Sequence, residues 1–84
     1  MPVLRRILMV EDDFDLRSTL VEQILSSGQF NVDEAGSAAE AEALLANNTH
    51  YDAILLDIGL PDRDGRNFCT KLRRDGRQMP VIMV

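Results

Sequence analysis

The acidic residues carry the chemistry that this sequence offers. Glu11, Asp12 and Asp13 follow an apolar run that ends at Val10, and Asp57 closes a second apolar run. Carboxylates brought within reach of one another repel: at about 4 Å a like-charged pair costs roughly 4 kcal/mol at an effective dielectric near 20. Raised pKa values, a basic partner or a metal ion must offset that cost. An all-oxygen donor set without cysteine or histidine favours a hard cation. Magnesium suits it best, because it takes one or two carboxylates and keeps waters that a phosphate can replace. A carboxylate beside such an ion can act as a nucleophile on phosphorus, with the metal neutralising charge on the phosphoryl oxygens.

Each acid also has a plainer reading. Asp13 is placed to cap the helix that follows it. Asp62 and Asp64 fall in a stretch rich in turn formers and read as turn or cap residues. An acid at the end of one strand is ordinary; acids ending two strands, with a Gly/Pro loop before the next helix, are harder to dismiss. Spacing alone leaves a metal site and a set of solvated acids both open.

The elements that position these acids can be traced from the apolar pattern. Residues 4–10 are apolar apart from Arg5 and Arg6 and read as a buried strand whose C-terminal end meets solvent. From Phe14 the spacing becomes helical, with Leu16, Leu20, Val21, Ile24 and Leu25, and Gly28 suits the helix C-cap. Residues 30–35 alternate weakly, as a second, shorter strand does. Ser37 and Glu40 form a capping box that opens a second helix, continued by Ala41, Leu44 and Leu45 and ended by Asn47-Asn48. Residues 51–57 turn fully apolar before finishing in Asp57. Gly59, Pro61, Asp62, Asp64 and Gly65 make a loop. A third helix carries Phe68, Cys69 and Leu72 inward and closes near Gly76, and Pro80 introduces a fourth strand at residues 81–84. Met9 and Met83 read as core filling, and Cys69 as a small buried residue.

The order βαβαβαβ with continuous apolar strands implies an α/β doubly wound parallel sheet, covered on both faces and built with right-handed crossovers. Ligands bind such sheets beyond the carboxyl ends of the strands, where strand order reverses. The expected order 2-1-3-4 makes the first and third strands neighbours, so that Glu11, Asp12 and Asp57 converge. With 84 residues, the chain is expected to be a single domain over 1–84. No apolar run reaches the roughly 20 residues of a membrane helix, and the run after Arg6 is too short for a signal peptide. One cysteine excludes an internal disulfide, and the expected location is the cytoplasm. The net charge is −5, carried by an acidic first part, while Arg63, Arg66, Lys71, Arg73, Arg74 and Arg77 make residues 61–84 basic. An acidic domain is a poor binder of nucleic acid. The basic stretch reads either as a partner surface or as a solvated helix face complementing the helix dipole.

Two segments resemble a known family. Ile7-Leu8-Met9-Val10-Glu11-Asp12-Asp13 is similar to the first strand and acidic pair of bacterial response-regulator receiver domains. Asp57-Ile58-Gly59-Leu60-Pro61-Asp62-Arg63-Asp64-Gly65 resembles their phosphoacceptor segment, and Pro80-Val81-Ile82-Met83-Val84 their fourth strand. The resemblance implies a flavodoxin-like receiver fold in a two-component phosphorelay. It makes Asp57 the phosphoacceptor and Asp12 a direct magnesium ligand, with Glu11 contributing directly or through water. It makes the backbone carbonyl of Gly59 a further ligand, aimed by a loop that Leu60-Pro61 and Gly65 shape. The implied donor is a phosphohistidine on a sensor histidine kinase or a histidine phosphotransfer protein; His50, in a polar stretch before a strand, does not resemble that donor. Such a module assists its own phosphorylation and dephosphorylation, largely by positioning and electrostatics, and is not otherwise an enzyme.

The family's fold continues with a fourth helix, a fifth strand and a fifth helix, and places a Ser or Thr and a Lys against the phosphoryl group. Those parts lie beyond Val84, so the receiver is expected to be incomplete, with an exposed fourth-strand edge that pairs with another copy or exchanges elements with it as a homodimer. Two other function classes are compatible with the acids. One is a metal-binding, dimerising fragment without phosphotransfer. The other is a magnesium-dependent phosphohydrolase, disfavoured because the next acid after Asp57 is Asp62, across a proline-containing loop.

Overall fold

A computed structural model describes residues 4–47 and 50–84. Four strands and three helices alternate: β1 (Arg5–Val10), α1 (Phe14–Leu25), β2 (Phe30–Ala35), α2 (Ala38–Asn47), β3 (Ala53–Leu56), α3 (Gly65–Arg74) and β4 (Val81–Met83). All pairings are parallel and the strand order is β2-β1-β3-β4, the order expected for a flavodoxin-like receiver fold. Val10 stands beside Leu56 in the register of β1 on β3, which puts Glu11 and Asp57 next to each other just past the strand ends. The amide of Asp57 continues the ladder onto the carbonyl of Val10 at 2.9 Å.

Alternation along the strands sends Leu8, Val10, Ile54 and Leu56 to one face, where they pack with Ala38, Ala41 and Leu45 of α2 and Phe68 and Leu72 of α3. Met83 packs against this core and Met9 is fully buried, so both methionines fill space as expected. Cys69 is half-buried on the same side. The other face carries Ile7 and Met9 under α1, which packs on β1 and β2. There the apolar spacing of α1 is used only in part: Val21 is buried, whereas Leu16 and Leu25 remain 46% and 47% exposed. Ile82 and Val84 are exposed at the β4 edge of the same sheet.

The caps explain where the helices begin and end. Asp13 accepts from the Leu16 amide at 3.0 Å, and Asp64 from the Arg66 amide at 2.8 Å. Gly28 is not the C-cap of α1. That helix ends at Leu25 with Ser26 as its cap, and the hydroxyls of Ser26 and Ser27 bond back to the carbonyls of Gln23 and Ile24. Gly28 makes the left-handed turn (φ 73°) two residues further on. Gly76, at φ 86°, follows the α3 cap Asp75 directly. The expected end of α2 at Asn47-Asn48 agrees at Asn47, and Asn48 lies outside the described residues. The third strand is shorter than expected, since Tyr51 and Asp52 precede the ladder and Asp57 follows it.

The basic side chains of residues 63–77 are largely spent within the fold. Lys71 pairs with Glu42 at 3.3 Å, and Arg63 pairs with the same carboxylate. Arg73 donates to the carbonyls of Arg77 and Met79, and Arg77 donates to the carbonyl of Leu45 at the end of α2. Among the described residues, no helix is long and apolar enough to cross a membrane.

Candidate metal centre and phosphoacceptor site

Glu11, Asp12 and Asp57 each offer a carboxylate oxygen, and these oxygens all lie within 4.8 Å of one another. Strand register produces this convergence, since β1 and β3 are adjacent and parallel and both acidic ends face the same rim of the sheet. Glu11 is buried, with 4% exposure, whereas Asp12 is exposed and Asp57 half-buried. The amide of Asp13 donates to Glu11 Oε2 at 3.2 Å, and the amide of Gly59 donates to Asp57 Oδ1 at 3.1 Å. Burial is the largest influence on the Glu11 carboxyl and pushes its pKa above the ordinary value. The Asp13 amide opposes the shift, and the Asp12 and Asp57 carboxyls add to it.

The loop after Asp57 is held at its base. Gly59 and Asp64 form an isolated antiparallel bridge, and the Gly65 amide donates to the Ile58 carbonyl at 2.8 Å. Leu60 inserts into the core with 7% exposure. Gly59 itself is exposed, two residues beyond Asp57. His50 precedes β3, at the end of that strand opposite the Asp57 rim, exposed and paired with Asp52 at 3.1 Å.

One contributor, Arg17, has no counterpart in the sequence analysis, and a second, Asp62, acts on an element the sequence does not point to. Arg17 Nη1 donates to the Glu11 carbonyl at 2.6 Å, while its Nε pairs with Glu34 at 3.1 Å, and its guanidinium lies over the Phe14 ring. It thereby fixes the backbone that carries Glu11. A signal for it existed: Arg17 stands one helical turn before the buried Val21, so the period puts a cation on the inward stripe. Asp62, expected to be a turn or cap residue, is a cap, but of a distant helix: its two oxygens accept the amides of Ala38 and Ala39, at 2.9 and 3.0 Å, at the start of α2.

Comparison with known proteins decides the family. The family model described as "Response regulator receiver domain" matches residues 7–84. The chain belongs to the response regulator receiver domain family. Response regulator MprA of Mycobacterium sp. (strain KMS) is 39% identical over 84 residues, covering 100% of this chain and 35% of that protein. The chain therefore spans about a third of the length of the curated relatives it matches. The structure of the response regulator MaeR bound to beryllium trifluoride superposes with a TM-score of 0.89 at 33% identity, over 96% of this chain and 66% of that one. The response regulator protein TrrA from Thermotoga maritima, in complex with Mg(2+)-BeF, gives 0.86 at 28% identity, over 95% and 68%. Receiver domains are signalling modules of two-component systems and are phosphorylated by histidine kinases. Receiver domains bind Mg2+ at an acidic pocket, and this chain carries an acidic cluster past the ends of β1 and β3.

Proposed function

We propose that Asp57 is the phosphoacceptor of this receiver and that Glu11, Asp12, Asp57 and the Gly59 carbonyl hold Mg2+ beside it. The observation that carries this reading is the convergence of three carboxylates within 4.8 Å at the ends of β1 and β3. The donor set is all oxygen, as a hard cation requires. The raised pKa of Glu11 is the cost that a bound cation would offset. MaeR is bound to beryllium trifluoride and TrrA is in complex with Mg(2+)-BeF, and both support the assignment.

When bound, magnesium would supply positive charge to the phosphoryl oxygens. The rest falls to the chain. The Gly59 amide holds Asp57 Oδ1 and so fixes the carboxylate plane at the sheet rim. An Asp57 oxygen attacks phosphorus on a phosphohistidine of a sensor histidine kinase or a phosphotransfer protein. The P–N bond breaks as the acyl phosphate O–P bond forms, and the imidazole leaves with the electron pair and takes up a proton. Water later cleaves the acyl phosphate and restores the carboxylate. On this reading residues 1–84 are part of one receiver that works in the cytoplasm, without nucleic-acid contacts through this segment.

The same three carboxylates also allow a second reading, a metal-binding module that pairs with its own copy and accepts no phosphoryl group. Incubation with acetyl phosphate and magnesium, followed by intact mass, separates the two. A phosphoryl adduct that disappears in Asp57→Asn supports the phosphoacceptor. Metal binding without an adduct, with dimers in light scattering, supports the second reading. Acetyl phosphate hydrolysis without any adduct would point to a phosphohydrolase.

A further inference from the structure

The first turn of α2 leaves amides without partners inside the helix, whose ladder starts with the Ala41 amide on the Ser37 carbonyl at 3.1 Å. The Glu40 amide donates to Ser37 Oγ at 3.1 Å. The Ala38 and Ala39 amides donate to Asp62, 24 and 23 residues further along the chain. Asp62 thus occupies the end of a helix to which it does not belong, with one carboxylate oxygen on each amide. Its carboxyl is held below the ordinary value, first by the Ala38 amide and then by that of Ala39. Arg63 adds a second tie from the same loop to α2 through Glu42.

The location of this clasp gives it a consequence. The loop leaves the rim at Gly59 and returns at Asp64, where the Gly59–Asp64 bridge pins its two ends together. Residues 60–63 between them bear on α2 through Asp62 and Arg63. We infer that Asp62 is a positioning residue for the metal centre, its carboxylate across the first two amides of α2 holding the loop so that the Gly59 carbonyl faces the acidic pocket. This rests on the proposed role of Gly59 as a ligand. Asn at this position keeps one acceptor oxygen and sets its NH2 against an N–H donor, so it loses half of the clasp; Ala loses all of it.

The test is a Mg2+ titration of the unphosphorylated protein, followed by calorimetry or amide NMR, for wild type, Asp62→Asn and Asp62→Ala. Supporting partners of metal ligands commonly change affinity by roughly tenfold or more. The expected result is a loss of about tenfold for Asp62→Ala and a smaller loss for Asp62→Asn. Faster hydrogen exchange at the Ala38 and Ala39 amides should accompany it. The rate of adduct formation from acetyl phosphate should return to that of wild type at saturating Mg2+, which a merely unstable variant would not do. Tyr51→Phe, altered at the opposite end of the strands, serves as a destabilised control with unchanged Mg2+ affinity. Wild type that binds Mg2+ with Asp62→Ala binding it equally well overturns the inference alone. Wild type that binds no Mg2+ overturns the metal reading of the pocket, and this inference with it. If Asp62→Ala fails to fold, Asp62→Asn with unchanged affinity is sufficient to overturn it.

Discussion

Gly65, the first residue of α3, lies so close to Asp57 that a Cβ on it would stand 2.6 Å from the Asp57 carbonyl oxygen and 2.9 Å from the Ile58 Cα. Both obstacles are backbone and cannot swing aside. Helix α3 therefore approaches the end of β3 as closely as it does only because residue 65 lacks a side chain. Gly65→Ala should destabilise the fold by about 1–3 kcal/mol through overpacking, although alanine favours helices by up to about 1 kcal/mol over glycine. Urea unfolding with an unchanged m-value would check it. A fully stable Gly65→Ala protein would show that the loop can retreat without cost.

The clasp and its neighbour set a pH dependence. The Asp62 carboxyl lies below its ordinary value because of amide donors. At Glu42, burial pushes the carboxyl up, but hydrogen bonds from Arg63 and Lys71 outweigh it and hold it low. A carboxyl depressed on folding contributes stability above its unfolded pKa and loses it as pH falls through its folded pKa. Stability should therefore fall with acidification from about pH 4.5 downward, near the unfolded values of these acids. Asp62→Asn should flatten that fall while leaving the curve near pH 7 parallel to wild type. Denaturation midpoints measured from pH 3 to pH 7 would show it.

Arg17 links the acid-bearing loop to β2. Its exposed ion pair with Glu34 contributes little by itself, but the 2.6 Å bond to the Glu11 carbonyl is charge-assisted and the Arg17 side chain is only 15% exposed. Arg17→Ala should cost about 1.5–3 kcal/mol, the range for hydrogen bonds to charged groups. Arg17→Lys should recover only part of that, because an ammonium cannot reach the carbonyl and Glu34 with a planar fork while lying over Phe14. Chemical denaturation of the two variants side by side gives the comparison.

How much of this was legible in the sequence depended on how local each cause was. Ile7–Val10 and Ile54–Leu56 announce buried strands because both of their faces are apolar, and Asp13 and Asp64 announce caps because they bond three or fewer residues away. The acidic pocket was legible because each carboxylate ends such a strand. Gly28 is legible as the left-handed residue that follows α1, but not as its cap, which falls two residues earlier at Ser26. Asp62 is legible as a turn or cap residue, but the helix it caps is not, because no local pattern encodes a contact 24 residues apart. Arg17 was overlooked within a helix judged by its leucines, of which Leu16 and Leu25 remain exposed.

The pocket also predicts how metal and stability are linked. Burial raises the Glu11 carboxyl, so the native state holds that proton more tightly than the unfolded chain does. Stability should thus decline as pH rises through the interval between the two pKa values, and above that interval the metal-free pocket carries the full cost. Mg2+ binding to the native state adds RT ln(1 + [Mg2+]/Kd), about 2.7 kcal/mol at a hundredfold excess over Kd. The thermal midpoint at pH 7 should therefore rise with Mg2+, and the increment should shrink toward acid pH as protons compete for the same oxygens. Glu11→Gln separates the two effects. It removes the ionisable group, so the metal-free variant should escape the decline with rising pH and be at least as stable as wild type above that interval, while the gain from Mg2+ becomes smaller. Melting curves with Mg2+ and with EDTA would test both halves. A variant that is less stable without metal yet gains as much from Mg2+ would show that Glu11 is a structural acid and not part of the cation site.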